Sequence, residues 1–169
     1  QAAEGAPAVL ELRRLSLLPL RPEGLPLLPA KAPTKPWVEE FRSPRGWRPR
    51  PDWLGNPDPR ARLSARDGVL RLEAPTPGRG MKWSRLLPEG PDLSKFRYIA
   101  VRYRAEGLAP HHDYFVYFGS APGGMPPKMS FPIRIRDLEP DGRWHVITAP
   151  LREDFTAVSY THLTLPTTE

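Results

Sequence analysis

The chain is 169 residues long and 39% hydrophobic, with 24 prolines, 13 glycines, no cysteine and a formal charge of +6. The lack of cysteine excludes a disulfide framework, a thiolate metal centre and a thiol nucleophile, and no apolar run reaches the roughly 18 residues of a membrane-spanning helix. Proline and glycine interrupt the sequence too often for long helices, so an all-β chain with some linker is expected.

The first β-type run is Val9 to Leu18, with Leu10 and Leu12 in one register and Leu15 and Leu17 in the other. The Arg13-Arg14 step shifts the phase, as a bulge would. From Pro19 to Pro36 the proline spacing excludes helix and interior strand alike, which predicts a stiff, extended linker. The opening residues, Gln-Ala-Ala-Glu-Gly-Ala-Pro, are expected to follow an arbitrary cut rather than a removed signal peptide.

A new unit is expected to open at Trp37. Short strands are predicted near 38–42, 60–64, 69–73, 81–85, 97–106, 114–118, 129–136 and 144–149. The separators carry turn chemistry: Asn56-Pro-Asp-Pro59, Arg66-Asp-Gly68, Pro77-Gly-Arg-Gly80, Pro122-Gly-Gly124 and Glu139-Pro-Asp-Gly142. About eight strands with frequent turns point to an antiparallel β-sandwich. Its inward sets would be Leu70 with Leu72, Ile99 with Val101 and Tyr103, Met129 with Phe131, Ile133 and Ile135, and Trp144 with Val146, joined by Trp83.

The strongest single pattern lies in Asp92 to Gly107, where Ile99, Val101, Tyr103 and Ala105 alternate with Tyr98, Arg102 and Arg104. It reads as one strand with an apolar face and a cationic face, the latter open to a ligand. By the same alternation Arg134, Arg136, Arg143 and His145 would face outward, and they join the cationic surface if these strands share one sheet. Aromatic rings stack on the apolar faces of sugars, while arginine forks bind carboxylate or sulfate. Asp113-Tyr-Phe-Val-Tyr-Phe118 has aromatics on both faces, so either Tyr114 with Phe118 or Phe115 with Tyr117 is available for stacking. Trp37, Trp47 and Trp53 either rim a loop-end site or pack their own long loop.

The bland readings stand beside these. Arginine makes up 20 of the 25 basic residues, but its abundance together with Ala, Gly and Pro fits a GC-rich coding sequence, so net charge is only a weak pointer to an anionic partner. Exposed arginines also keep a solvated sheet face from aggregating. His111-His112-Asp113 invites a metal reading, yet neighbouring side chains on extended backbone point apart. Asp137 and Glu139 sit beside a turn, where solvation explains them. No nucleophile elbow, phosphate loop or His-Glu-x-x-His is present.

From Val158 to Glu169 arginine, glycine and alanine vanish and threonine appears four times. The wording Val-Ser-Tyr-Thr-His-Leu-Thr-Leu-Pro-Thr resembles the translated library adapter that ends many truncated frames from environmental sequencing. The alternative is a Thr-rich last strand.

Several segments resemble the galactose-binding-like jelly rolls of carbohydrate-binding modules and related accessory domains on large secreted bacterial enzymes. They are Trp37 to Trp53, Gly68-Val-Leu-Arg-Leu72, Gly80-Met-Lys-Trp-Ser-Arg85, Asp92 to Gly107, and Asp141-Gly-Arg-Trp-His-Val146. These are scaffold signals that bear on fold more than on ligand. The same pattern ends in a strand of the type found at Leu10 to Pro19, which implies a tandem. Residues 1–18 would close a preceding module, 19–36 would be linker, 37–157 would be a module lacking its own last strand, and 158–169 would be non-native. Either the front strand fills the vacated place in the sheet or an edge stays unpaired.

The resemblance implies a noncatalytic module of a secreted, cell-surface or periplasmic multidomain protein. Its expected partners are a polysaccharide and covalently linked catalytic or binding domains, with no membrane span. The candidate ligand-binding residues are Tyr98, Arg102, Arg104, Tyr114, Arg134 and His145. No cofactor is expected; Glu39, Glu40 and Asp154 would be the oxygen donors for a structural calcium of the kind common in this fold, but no loop with dense alternating carboxylates is present. Two other classes remain open at this point. A structural spacer would carry a large apolar patch, and a nucleic-acid binder would use the basic face.

Overall fold

Period-two alternation makes strands wherever one face can be buried, and the computed structural model has eleven of them among its described residues. It describes residues 7–18, 36–86, 91, 96–108, 113–119, 129–151 and 160–164. The strands are β1 (Ala8–Leu18), β2 (Trp37–Glu39), β3 (Trp47–Pro49), β4 (Arg62–Arg66), β5 (Val69–Ala74), β6 (Lys82–Leu86), β7 (Tyr98–Glu106), β8 (Tyr114–Gly119), β9 (Met129–Arg134), β10 (Asp141–Pro150) and β11 (Tyr160–Thr164). The pairings between them are antiparallel. The protein is an all-β antiparallel sandwich.

The first sheet runs β10-β7-β1-β5-β4, with β2 against the second half of β1, and the other sheet runs β3-β6-β11-β8-β9. One apolar core takes side chains from both, including Leu10, Leu72 and Val101 from the first and Trp83, Phe115 and Ile133 from the second. Phe115 and its neighbour Val116 are both fully buried, so β8 is covered on both sides and the Phe115 ring is closed to a ligand.

The front strand fills a central place in the module's own sheet. β1 pairs with β7 along nearly its whole length, and its register jumps between Leu12 and Arg14, where the sequence phase predicts a bulge. The bulge brings Leu10, Leu12, Leu15 and Leu17 onto one face, all essentially without solvent exposure. Burial of each contributes about 1.5–3 kcal/mol. Residues 8–18 therefore pack with residues 37–151 in the same core. The tail segment Tyr160–Thr164 is β11, hydrogen-bonded between β6 and β8. The expected linker lies outside the described residues except for Pro36.

Three of the differences from the expected boundaries have a local reason. β3 was unforeseen because Pro49 breaks its pattern, but β3 is an edge strand, where proline is tolerated. β4 begins at Arg62 rather than residue 60 because the Asp58 carboxylate accepts the Arg60 N–H at 2.9 Å and holds a turn there. β9 stops at Arg134 because Asp137 Oδ2 accepts the Arg134 N–H at 2.9 Å, turning Ile135–Asp137 into a short 3-10 segment with Ile135 still buried. The β4–β5 connection is the predicted Asp67-Gly68 turn, with φ of 52° and 72° as a type I′ hairpin requires.

Asp58 ties the long 50–61 loop to the turn before β6. Its carboxylate is fully buried and accepts the Thr76 N–H at 2.8 Å, the Thr76 hydroxyl at 2.7 Å and the Arg60 N–H. Burial pushes the carboxyl up, but the hydrogen bonds from Thr76 and Arg60 outweigh it and hold the group below its ordinary value. Asp58→Asn should lower unfolding free energy by about 1–3 kcal/mol near neutral pH. Because the folded value is depressed, this advantage is present above the unfolded carboxyl's ~3.9 and is lost as pH falls through the folded value. Urea midpoints of wild type and variant should therefore converge in acid.

Candidate functional site

Residues directly opposite on paired strands share a face, so the registers of the first sheet define its outer surface. One row across it reads Trp144 on β10, Arg104 on β7, Glu11 on β1, Arg71 on β5 and Ser64 on β4. Glu11 lies at the centre with its side chain only 9% exposed. Its Oε1 accepts from Arg71 Nη1 at 2.6 Å, and its Oε2 accepts from Arg104 Nε at 2.8 Å and lies 2.5 Å from Nη2. Arg71 also donates to Glu73 at 2.9 Å. The Glu73 hydrogen bond is the main influence holding the Arg71 guanidinium more basic than usual; burial opposes it and Glu11 adds to it. A carboxylate taken out of water in this way needs both forks. Arg104 is thus engaged in holding the sheet together, not held free for a ligand.

The next feature corrects the expected phase of β10. Trp144 and Val146 are expected in the core, but Val146 is 67% exposed, and the Trp144 ring lies on the outer face near two guanidiniums. Arg102 and Arg104 stand 5.4 and 5.6 Å from its centroid, within cation–π range. The cause is the bulge between Asp141 and Trp144, where Gly142 takes φ of +75°. Ile147, Ala149 and the following Leu151 then supply the apolar face.

His145 accordingly points inward, not onto the cationic surface. Its ring stacks on Tyr103 at 5.6 Å between centroids, its Nε2 lies 2.8 Å from Asp141 Oδ1, and its Nδ1 lies 3.8 Å from Glu139 Oε2. The Tyr103 hydroxyl accepts the Glu139 N–H at 2.9 Å, and burial raises the pKa of that phenol. The hydrogen bond from His145, helped by the Arg143 N–H, holds the Asp141 carboxyl below its ordinary value. Glu139, Asp141 and His145 place three metal-ligating atoms within 4.8 Å of one another. Here the Nε2 bond to Asp141, the ring stacked on Tyr103 and the Glu139 N–H bond to the Tyr103 hydroxyl tie the β9–β10 connection to the sheet.

The remaining candidates divide between the sheets. Tyr98 and Arg102 lie on the outer face of β7 in the first sheet, Tyr98 half-buried and Arg102 exposed. Arg134 and Tyr114 do not join them: they are opposite each other on β9 and β8 of the second sheet, where only the backbone of Tyr114 is described. Arg136 lies on the 3-10 segment of that sheet, and Arg143 is exposed at the start of β10. Trp83 is in the core as expected, Trp37 packs against it, and Trp47 is buried, while Trp53 lies 4.2 Å from the Arg50 guanidinium. Of the suggested calcium donors, Glu39 accepts the Phe41 N–H and pairs with Arg85, and Glu40 pairs with Arg42. Asp154, His111 and His112 lie outside the described residues, and Asp113 pairs with Lys82 at 2.8 Å.

Sequence reasoning missed Glu11 and Arg71. The signal was present: a lone acid within Val-Leu-Glu-Leu and a lone base within Leu-Arg-Leu are each flanked by core leucines. No protein-family model, curated protein or solved structure matches the chain.

Glu11→Gln removes the charge that separates two guanidiniums. It should lower unfolding free energy by about 1–3 kcal/mol, because Arg71 and Arg104 are left facing a neutral amide. Arg71→Ala should cost less, since that side chain is 38% exposed and Arg104 remains on Glu11. Urea unfolding of the two variants measures the difference.

Proposed function

We propose that this chain is a noncatalytic carbohydrate-binding module of the galactose-binding-like, jelly-roll kind, acting on an acidic polysaccharide. The observation that carries the reading is the half-buried Trp144 on the outer face of the first sheet with the exposed Arg102 guanidinium 5.4 Å from its ring centroid. An indole offers an apolar surface to a sugar ring, and a neighbouring guanidinium offers a fork to the sugar's acidic group. Val146 and Arg102, both exposed and directly opposite, extend the surface along the strands toward Tyr98. The antiparallel sandwich agrees with the scaffold segments of the resemblance.

In this reading the module belongs to a secreted or cell-surface protein, and covalent linkage to a catalytic domain raises the local concentration of enzyme at the polymer. A purely structural spacer would favour a broad apolar patch. Among the described residues the large exposed apolar side chains are Leu86 and Val146, which lie on different sheets.

Affinity electrophoresis in gels containing polygalacturonate tests the reading. Wild type should be retarded, and Trp144→Ala and Arg102→Ala should each weaken apparent affinity about tenfold, equivalent to ~1.4 kcal/mol. Absence of retardation on every acidic glycan, with a salt-dependent mobility shift on nucleic acid instead, would replace the glycan by a phosphate backbone.

A further inference from the structure

Among the described residues, two depressions are lined by arginine, and they differ in how the charge is spent. The larger, of about 710 Å³, is bordered by Glu39, Glu40, Arg42, Arg45 and Arg85. Arg85 is matched by Glu39 at 2.8 Å and Arg42 by Glu40, so most of that charge is neutralised internally.

The second, of about 570 Å³, opens on the outer face at the β1 bulge. β5 pairs with β1 only up to Leu12, and β2 only from Leu15, so Arg13 and Arg14 fall in the gap between them. The Asp67-Gly68 turn and the chain at Glu40 to Arg42 border this gap. Both Arg13 and Arg14 are exposed, and Arg14 is directly opposite Arg102 on β7. Like charges at opposed positions destabilise a strand pair. Nearby acids do not relieve this: Glu40 is taken by Arg42, and Asp67 lies 3.4 Å from Arg66. Among the described residues no carboxylate pairs with Arg13, Arg14 or Arg102. One row along the same face, Glu11 and Glu73 together balance Arg104 and Arg71. Among the described residues, a counter-ion is thus present where charge is structural and absent at the bulge.

We propose that the bulge cleft of Arg13, Arg14 and Arg102 binds a tetrahedral oxyanion ester, sulfate or phosphate, carried on the polysaccharide. A carboxylate has two coplanar oxygens and is satisfied by one guanidinium fork, whereas a tetrahedral ester turns three oxygens toward three separate donors. Arg102 joins the cleft to the stacking surface, since its guanidinium is 5.4 Å from the Trp144 ring and it also lines the cleft. A sugar stacked on Trp144 thus has its ester within reach of the bulge. The identity of the carrier rests on the glycan reading given above; the oxyanion site itself rests on the arginines.

The test compares wild type with the double variant Arg13→Ala/Arg14→Ala in gels containing dextran sulfate, dextran phosphate or polygalacturonate. Wild type should bind the ester polymers about tenfold more tightly than polygalacturonate, and the double variant should lose this preference while keeping its polygalacturonate retardation. The stronger of the two ester arms names the ester. Both substituted positions are exposed, and the variant should unfold in chloride at the same or a higher temperature because the Arg14–Arg102 repulsion is relieved.

A second readout is thermal unfolding in sulfate against chloride at equal ionic strength. General stabilisation by sulfate is common to both proteins, so only the excess in wild type reports the site. Equal retardation by ester and carboxylate polymers, or a preference that survives in the double variant, overturns the proposal. If sulfate stabilises wild type in excess but no polymer is retarded, the oxyanion site stands and the glycan reading falls. If polygalacturonate retards both proteins equally and no ester preference exists, the glycan reading stands and the cleft falls.

Discussion

The structure depends on the placement of one strand, β1, in the middle of the first sheet. Its inner face carries four leucines into the core, and its outer face buries a carboxylate between two guanidiniums. Neither half works alone. The leucines supply non-directional stabilisation that would tolerate a slip of two residues, whereas the Glu11 bonds to Arg71 and Arg104 fit only the observed register on both sides. Together they fix where β5 and β7 lie, and β10 follows from β7.

The bulge that lets all four leucines face inward has a second effect. An extra residue must go somewhere, and it leaves Arg13 and Arg14 exposed at the point where β5 has ended and β2 has not begun. The arginines of the outer face are thereby sorted into two groups. Those beside Glu11 are paired with Glu11 or Glu73, and those beside the bulge are exposed and have no carboxylate partner among the described residues. A simple alternation of apolar and basic residues would treat them as one patch.

Much of the fold was legible in local sequence. The Asp67-Gly68 turn, the bulge at Arg13-Arg14 and the two faces of β7 all follow from backbone preference or from period two, which act over a few residues. What failed was the phase of β10. Trp144-His-Val-Ile-Thr-Ala149 is apolar on both faces, so hydrophobicity does not choose between them. The sequence pattern alone leaves Trp144 with Val146 as one possible core set. Pairing with β7 and the bulge at Gly142 put Ile147 and Ala149 inside instead, and brought the indole to the surface beside Arg102. The candidate site shifted accordingly: Arg102 and Tyr98 share the outer face of the first sheet, Arg134 and Tyr114 belong to the other sheet, and His145 lies against Tyr103.

The sequence by itself determined the class of architecture, the inward faces of β5 and β7 and the Asp67-Gly68 turn, because these arise from interactions between residues near one another along the chain. Only the tertiary structure decided which strands are neighbours, and with that which arginines meet a carboxylate. Glu11 and Arg71 are 60 residues apart, and Glu11 and Arg104 are 93 apart. Whether a guanidinium is a structural tie or a free binding group depends on such distant partners, and no local pattern encodes them.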